Sequence, residues 1–214
     1  MEISRNLPSF EESARFHGHV CPGLAIGYRV ADKAMELLGA ARPHDEELVA
    51  VVENDTCAVD AVQVVTGCTF GKGNLVFRDY GKGVFSFFSR EKNRAFRITY
   101  RSFPSLPDAE GARLEHLKAK IHFENAASRS ERQEYGELRE KLIQAILSSR
   151  AEDLLFWQPL DEEPPNPARI RPSIVCDRCG EQVMETRVRK VNGRSLCIPC
   201  SELEARVDSR VNSP

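Results

Sequence analysis

The sequence predicts an α+β domain followed by a small four-cysteine zinc finger. Three observations predict it. Helix-period and strand-like segments alternate as far as Ser148, five prolines fall within fifteen residues from Pro159, and Cys176, Cys179, Cys197 and Cys200 have the spacing of a structural metal site. The chain of 214 residues is long enough for one domain of ordinary size and an appended module. With 41% hydrophobic and 29% charged residues it has the make-up of a soluble globular protein. No stretch approaches the roughly 18 apolar residues that a membrane helix needs, so no membrane span is predicted. The amino-terminal MEISRNLPSFEESARF has acidic residues where a signal peptide carries a basic flank and an apolar run, which predicts a cytoplasmic protein. Thirty basic and thirty-two acidic residues give a net charge of -2, and no global field favours nucleic acid.

In order along the chain, a short helix is predicted over Ser9 to Arg15 and a longer one over Pro22 to Leu38. In the second, Leu24, Ile26, Val30, Ala34, Leu37 and Leu38 recur at near-helical spacing, and Gly39 stops it. Proline is well tolerated at the first helical position, so Cys21-Pro22 marks the start. Glu47 to Glu53 reads as a buried strand, and Asn54-Asp55-Thr56 offers capping oxygens for a helix over Cys57 to Thr66. Leu75 to Phe77 and Val84 to Phe88 read as strands joined through Asp79 to Gly83, with Phe96 to Tyr100 as a third, so a meander is expected. Two helices follow: Ala109 to Asn125, with a Leu114, Leu117, Ile121 stripe, and Ser130 to Ser148, with Tyr135, Leu138, Leu142 and Ile146. The predicted organisation is a core over 1–158, a proline-rich linker over 159–172 and a zinc finger over 173–214.

The finger pattern is Cys176-x2-Cys179-x17-Cys197-x2-Cys200, two thiolate pairs suited to tetrahedral zinc. Between the pairs, Asn192-Gly193 suits the positive φ angles of a tight hairpin turn, and SELEARVDSRV after Cys200 can continue as a helix. The order of knuckle, hairpin and helix resembles a treble clef. Arg187, Arg189, Lys190 and Arg194 cluster on the hairpin, but no aromatic residue accompanies them, and Glu202, Glu204 and Asp208 would repel a nucleic-acid backbone. A structural or protein-docking role is therefore expected of the finger.

The segment Phe16-His17-Gly18-His19-Val20-Cys21-Pro22-Gly23 is the most unusual in the chain. If it is extended, His17, His19 and Cys21 face the same way and converge. A helix start lowers a thiol pKa, so Cys21 and Cys57 are expected to favour the thiolate. Cys57 and Asp60, three residues apart, share one edge of a mostly apolar helix. Cys68 is balanced between function and simple core packing, while His44 and His116 read as surface residues. Gly67 to Asn74 fails as a phosphate loop, since three residues rather than four precede Gly71-Lys72 and Gly73 follows the lysine. Lys72 and Lys82 are left as candidates to neutralise an anionic substrate.

FHGHVCPGLAIGYR, then ENDTCAVDAVQVVTGCTFGKGNL and DYGKG, resemble FmdE, a family named for a component of formylmethanofuran dehydrogenase, through most of residues 10 to 100. The resemblance implies a thioredoxin-like α+β core with a mixed sheet flanked by helices, and for some members a C-terminal treble-clef zinc finger. It links the chain by name to the molybdenum or tungsten enzyme that makes formylmethanofuran in methanogenesis. Carried over position by position, the implied metal or active site falls on His17, Cys21 and Cys57, with Asp60 and Lys72 nearby.

Three readings of function follow. In the first, the protein is a metal-binding accessory of molybdenum or tungsten enzyme metabolism, with structural zinc in the finger, a second zinc or iron in the core, and oxidoreductase subunits as partners docked by the finger. In the second it is a free-standing enzyme in which the core metal or the Cys57 thiolate acts on a small one-carbon or carbonyl substrate, with His19 or Asp60 as base. In the third it is a zinc-finger regulator of nucleic acid, which the missing basic face disfavours. A homodimer is a further candidate assembly.

Overall fold

Ser9 starts the first helix by a capping box: its hydroxyl accepts from the Glu12 amide at 3.2 Å, and the Glu12 carboxylate accepts from the Ser9 amide at 2.7 Å. In the computed structural model, which describes residues 7–101 and 106–211, the last six of these by backbone alone, this helix is α1, Phe10–His17. Gly18, at φ 90°, ends it in a left-handed conformation that glycine adopts without strain. α2, Pro22–Leu38, begins on Cys21 and Pro22 and stops at Gly39. Strand β1, Leu48–Val52, is buried at all five positions and leads into α3, Ala58–Thr66, and the short β2, Leu75–Phe77. β3, Val84–Ser89, and β4, Arg94–Tyr100, form an antiparallel pair. Then come α4, Asp108–His122, α5, Arg129–Ser148, the single turn α6, Ala151–Leu154, and β5, Leu155–Pro159.

The five strands make one mixed sheet in the order β2-β1-β3-β4-β5. β1 and β2 run parallel and the other pairs antiparallel. This corrects the expected meander, because β1 lies between β2 and β3. A strand apolar on both faces belongs inside a sheet, and the three-residue β2, with Phe77 exposed, takes the edge. The Asp79–Gly83 segment is therefore no hairpin tip. It crosses the carboxyl end of β1, held by Arg78 N–H to the Val52 carbonyl at 2.9 Å, Lys82 N–H to the Glu53 carbonyl at 2.9 Å and the Asn54 amide to the Lys82 carbonyl at 2.9 Å. β5 has no counterpart among the predicted strands. It is a five-residue piece with only Leu155 buried, and its pairing with β4 stabilises it more than its own pattern does.

α2 lies against α3 so closely that a Cβ on Gly27 would sit 2.2 Å from the Ala58 carbonyl oxygen. Ala31, Ala34, Met35 and Leu38 of α2, Val62 and Val65 of α3, and Phe85, Phe87 and Ile98 of the sheet form the core. Each large side chain buried there contributes about 1.5–3 kcal/mol. α5 faces two ways: Ile143 and Ile146 join this core, while Leu138 packs with Leu106, Leu114 and Leu117 in a smaller cluster against α4. Cys68 is buried, which resolves it as core, and burial pushes its thiol up to about 11. His44 and His116 are exposed.

The chain divides into two compact units, Met1–Pro167 and Ala168–Pro214. Much of the proline-rich stretch stays on the first unit: Leu160 N–H donates to the Ala95 carbonyl at 2.9 Å, and Arg90 donates to the Pro165 carbonyl at 2.6 Å. In the second unit β6, Ser173–Val175, pairs with β7, Gln182–Met184, and β8, Val188–Val191, pairs with β9, Arg194–Cys197. The β8–β9 turn uses Asn192 and Gly193 at φ 49° and 79°. α7, Ile198–Val211, closes the unit. No helix among the described residues is long and apolar enough to cross a membrane.

Candidate metal centres

Among the described residues, two groups of His and Cys side chains have donor atoms that all lie within 4.8 Å of one another: Cys176, Cys179, Cys197 and Cys200 in the finger, and His17, Cys21 and Cys57 in the core. The core group is assembled from three element ends. His17 is the last residue of α1, Cys21 caps the start of α2, and Cys57 stands at the start of α3, beyond the carboxyl end of β1. Catalytic and ligand sites of open α/β sheets gather at that end of the strands, since the loops there are free of the sheet's own pairing.

The imidazole of His17 is held by Asp60. Its Nδ1 lies 2.6 Å from the Asp60 Oδ2, so the carboxylate accepts a hydrogen bond from Nδ1–H and leaves Nε2 with its lone pair free for a metal. That Nε2 is 3.9 Å from the Cys21 sulfur. A tetrahedral zinc with bonds of about 2.0–2.3 Å holds neighbouring donors about 3.5 Å apart, so this donor set fits such an ion with small side-chain rotations. Cys21 Sγ also accepts the Leu24 N–H at 3.3 Å, a bond suited to sulfur carrying negative charge. Two thiols and one imidazole fit zinc or iron better than a hard cation. Were these three side chains to hold a metal, a fourth ligand position would remain for water or substrate; His17 and Cys57 line a cleft of 390 Å³ together with Asn54, Asp55, Thr56, Gln63, Phe70 and Phe77.

The expected thiolate character of Cys57 is corrected. Burial and the neighbouring Cys21 sulfur raise its pKa, because Cys57 stands at the start of α3 with helical dihedrals and accepts no capping N–H bond. In this protein a metal, rather than the helix terminus, would be the group that ionises it.

The expected alternation of ligands is corrected too. The 17–21 segment is not extended: His17 ends a helix and Gly18 turns the chain in the left-handed region, so His17 and Cys21 meet across that turn. His19 is exposed and outside the ligand group, its ring tilted against His17 with centroids 4.4 Å apart. Lys72 donates through Nζ to the Asp45 carbonyl at 3.0 Å and does not line the cleft. Asp60 is brought into the site, as the partner of His17. Gln63 was missed: it donates to Asp60 Oδ1 at 3.3 Å and lines the cleft. Its place one turn beyond Asp60 on α3 is the signal that could have found it.

In the finger, Cys176 and Cys179 sit on the turn after β6, while Cys197 ends β9 and Cys200 lies in the first turn of α7. The sulfurs of Cys179 and Cys197 are 4.0 Å apart, close to the separation of about 3.8 Å that tetrahedral zinc imposes on two thiolates. Backbone N–H groups point at the site: Cys197 N–H donates to Cys176 Sγ at 3.3 Å and Cys200 N–H to Cys197 Sγ at 3.4 Å. The backbone N–H groups of Cys179, then Cys197 and Arg178, bring the Cys176 thiol down to about 6, whereas the hydrogen bond to Cys197 pushes Cys200 up to about 12. This is the donor set of a structural zinc. The hairpin cations are partly spent within the unit, since Arg194 pairs with Glu204 and Lys190 donates to the Ser195 hydroxyl at 2.7 Å.

Comparison with known proteins agrees with this division. Residues 169–203 match the prokaryotic dksA/traR C4-type zinc finger. A curated relative from Archaeoglobus fulgidus, named as a probable S-adenosyl-L-methionine-binding protein, is 30% identical over 190 residues, which is 87% of this chain. The chain spans 50% of that relative's length. Among solved structures, a tungsten formylmethanofuran dehydrogenase FmdE-like protein from Syntrophus aciditrophicus is similar at 25% identity, with a TM-score of 0.58 over 93% of this chain and 96% of the other. Residues 16–156 match the family described as FmdE, molybdenum formylmethanofuran dehydrogenase operon, and the match includes His17, Cys21, Cys57 and Asp60. The chain therefore belongs to the FmdE family and carries a C4-type zinc finger behind the family domain.

Proposed function

We propose that the protein is a metal-binding accessory of molybdenum or tungsten oxidoreductase metabolism, with an open metal site in the core and a zinc finger that docks a partner protein. The observation that carries this reading is the convergence of His17, Cys21 and Cys57 on one point, with the imidazole already oriented by Asp60. A zinc or iron held there would supply Lewis acidity at its open position. The chain's own part is to hold three ligands, fix the His17 tautomer through Asp60 and leave the cleft side free. The core is read as thioredoxin-like on its parallel β1–α3–β2 crossover followed by the β3–β4 hairpin. The finger is read as a treble clef on its order of knuckle, hairpin and helix. We place the protein in the cytoplasm, where a reducing environment keeps its seven cysteines available as thiols.

The test is metal content and melting temperature on the same samples. Wild type should hold up to two metals per chain, the core ion more weakly than the finger ion. Cys57→Ser and His17→Ala should each lose the core metal and keep the finger metal. If both variants hold wild-type metal under matched loading and merely melt lower, the cluster is a packing feature and the reading fails.

A second reading, a free-standing enzyme, is favoured by the 390 Å³ cleft that His17 and Cys57 line together with polar Asp60 and Gln63 and apolar Phe70 and Phe77. Substrate turnover by the isolated, metal-loaded chain would separate it from the accessory role.

A further inference from the structure

We propose that the cavity between the α4–α5 hairpin and the start of α2 binds a small amphipathic anion: an apolar or aromatic body bearing one carboxylate, sulfonate or phosphate. The cavity measures 730 Å³, within the range of about 300–1,000 Å³ of small-molecule sites. It shares no lining residue with the core metal cleft. His17 faces the cleft and His19 the cavity, on either side of the 17–21 turn, so this site stands whether or not the core holds metal.

The cavity exists because α4 is small where it passes the start of α2. Ala112 brings only a methyl group to the lining, and Gly111 has no room for a side chain, since its Cβ would stand 3.0 Å from the Leu106 carbonyl oxygen. The apolar lining is Pro22, Leu106, Leu114 and Leu142, with the Tyr135 ring beside it. This wall backs onto the hairpin's own small core, in which Leu106 and Leu114 are already buried, and an apolar body entering the cavity is held by removing its surface and the remaining apolar wall from water.

The charge on the wall selects the other end of the ligand. Lys118 and Arg139 line the cavity with only one carboxylate, Glu115, and that carboxylate lies 3.2 Å from Lys118. Arg139 is left as the uncompensated cation: among the described residues it makes no ion pair, donates one Nη2 bond to the Val20 carbonyl at 3.3 Å and stands 5.7 Å from the Tyr135 ring. A guanidinium beside an apolar cavity loses water when an apolar body enters, and an anionic group on that body restores its hydrogen bonds as a charge-assisted pair. His19 and His122 add donors at the same wall. A neutral or cationic amphiphile would leave Arg139 unpaired.

The experiment uses the full chain and 8-anilino-1-naphthalenesulfonate, an aromatic body with one sulfonate, followed by titration calorimetry. One probe per chain should bind, displaced by octanoate far better than by 1-octanol. Arg139→Gln keeps a polar side chain but removes the charge and the guanidinium, and should weaken the probe about tenfold or more at an unchanged melting temperature. Ala112→Trp should fill the cavity and abolish binding. Equal competition by octanol and octanoate, or wild-type affinity in Arg139→Gln, would overturn the proposal, and so would undiminished binding in Ala112→Trp. A wild-type chain that binds no probe and elutes as a dimer would instead assign the surface to a second copy and also overturn it. If Ala112→Trp does not fold, the Arg139→Gln titration and the octanoate–octanol pair decide.

Discussion

Asp60 acts at the core site through His17. Its carboxylate is 2.6 Å from Nδ1, and the second oxygen is held by Gln63, so the ring is fixed with Nε2 turned toward Cys21. Partners of this kind raise the basicity of an imidazole ligand and set its tautomer, and losing one typically costs about 10- to 100-fold in metal affinity. Asp60→Ala should weaken the core metal by that factor, measured by competition against a chelator of known affinity. The finger metal and the melting temperature should stay near wild type, because Asp60 is 35% exposed and supports no core packing. Wild-type affinity in Asp60→Ala would show that the ring is held by other contacts. Gln63 lies one step further out, and its effect should be smaller and in the same direction.

The α4–α5 hairpin is the element most dependent on charge. Its buried cluster is four leucines, and the two helices are bridged by Arg113–Glu134 and Lys120–Glu131. Glu131 also accepts from the Ser128 amide at 2.8 Å, completing the capping box that begins α5. The bond from Lys120, then the Ser128 bonds, bring the Glu131 carboxyl down to about 2 from an ordinary 4.5. Arg113 lowers Glu134 likewise. A carboxyl lowered in the folded state stabilises it fully above the ordinary value and loses that contribution as pH falls toward the folded value. The window here runs from about 4.5 down to 2. Melting temperature followed from pH 5 to pH 2 should therefore fall more steeply in wild type than in Glu131→Gln, which keeps the cap and removes the charge. Parallel slopes in the two proteins would mean that the bridge contributes nothing measurable.

At the scale of the whole molecule, the two units are stabilised by different physics. Residues 1–167 bury Phe85, Phe87, Phe88 and a broad set of aliphatic side chains around the sheet, and fold on hydrophobic burial. Residues 168–214 bury Leu196 beside three of the four cysteines, with Val183 and Val191 packed against them, too little apolar surface to offset chain entropy without a metal. A strong chelator should expose the second unit to proteolysis while the first persists as a protected fragment ending near Pro167. A finger that resists protease in excess chelator would contradict this assignment, and simultaneous loss of both units would show that they fold as one.

The sequence by itself determined what depends on short-range spacing. The finger's cysteines, its Asn192-Gly193 turn and the long helices α2 and α5 were legible because ligand pairs, turn dihedrals and the 3.6-residue period are written within a few residues of one another. The approach of Cys57 to Asp60 was legible for the same reason. Only the tertiary structure decided which element ends meet: that β1 inserts between β2 and β3, that β5 completes the sheet, and that the ends of α1, α2 and α3 bring together the His17, Cys21 and Cys57 that the family resemblance singles out. Strand order and the meeting of α1, α2 and α3 depend on contacts far apart in the chain. There the free energy lies in burying both faces of LVAVV and in the close crossing at Gly27, and no local pattern records it.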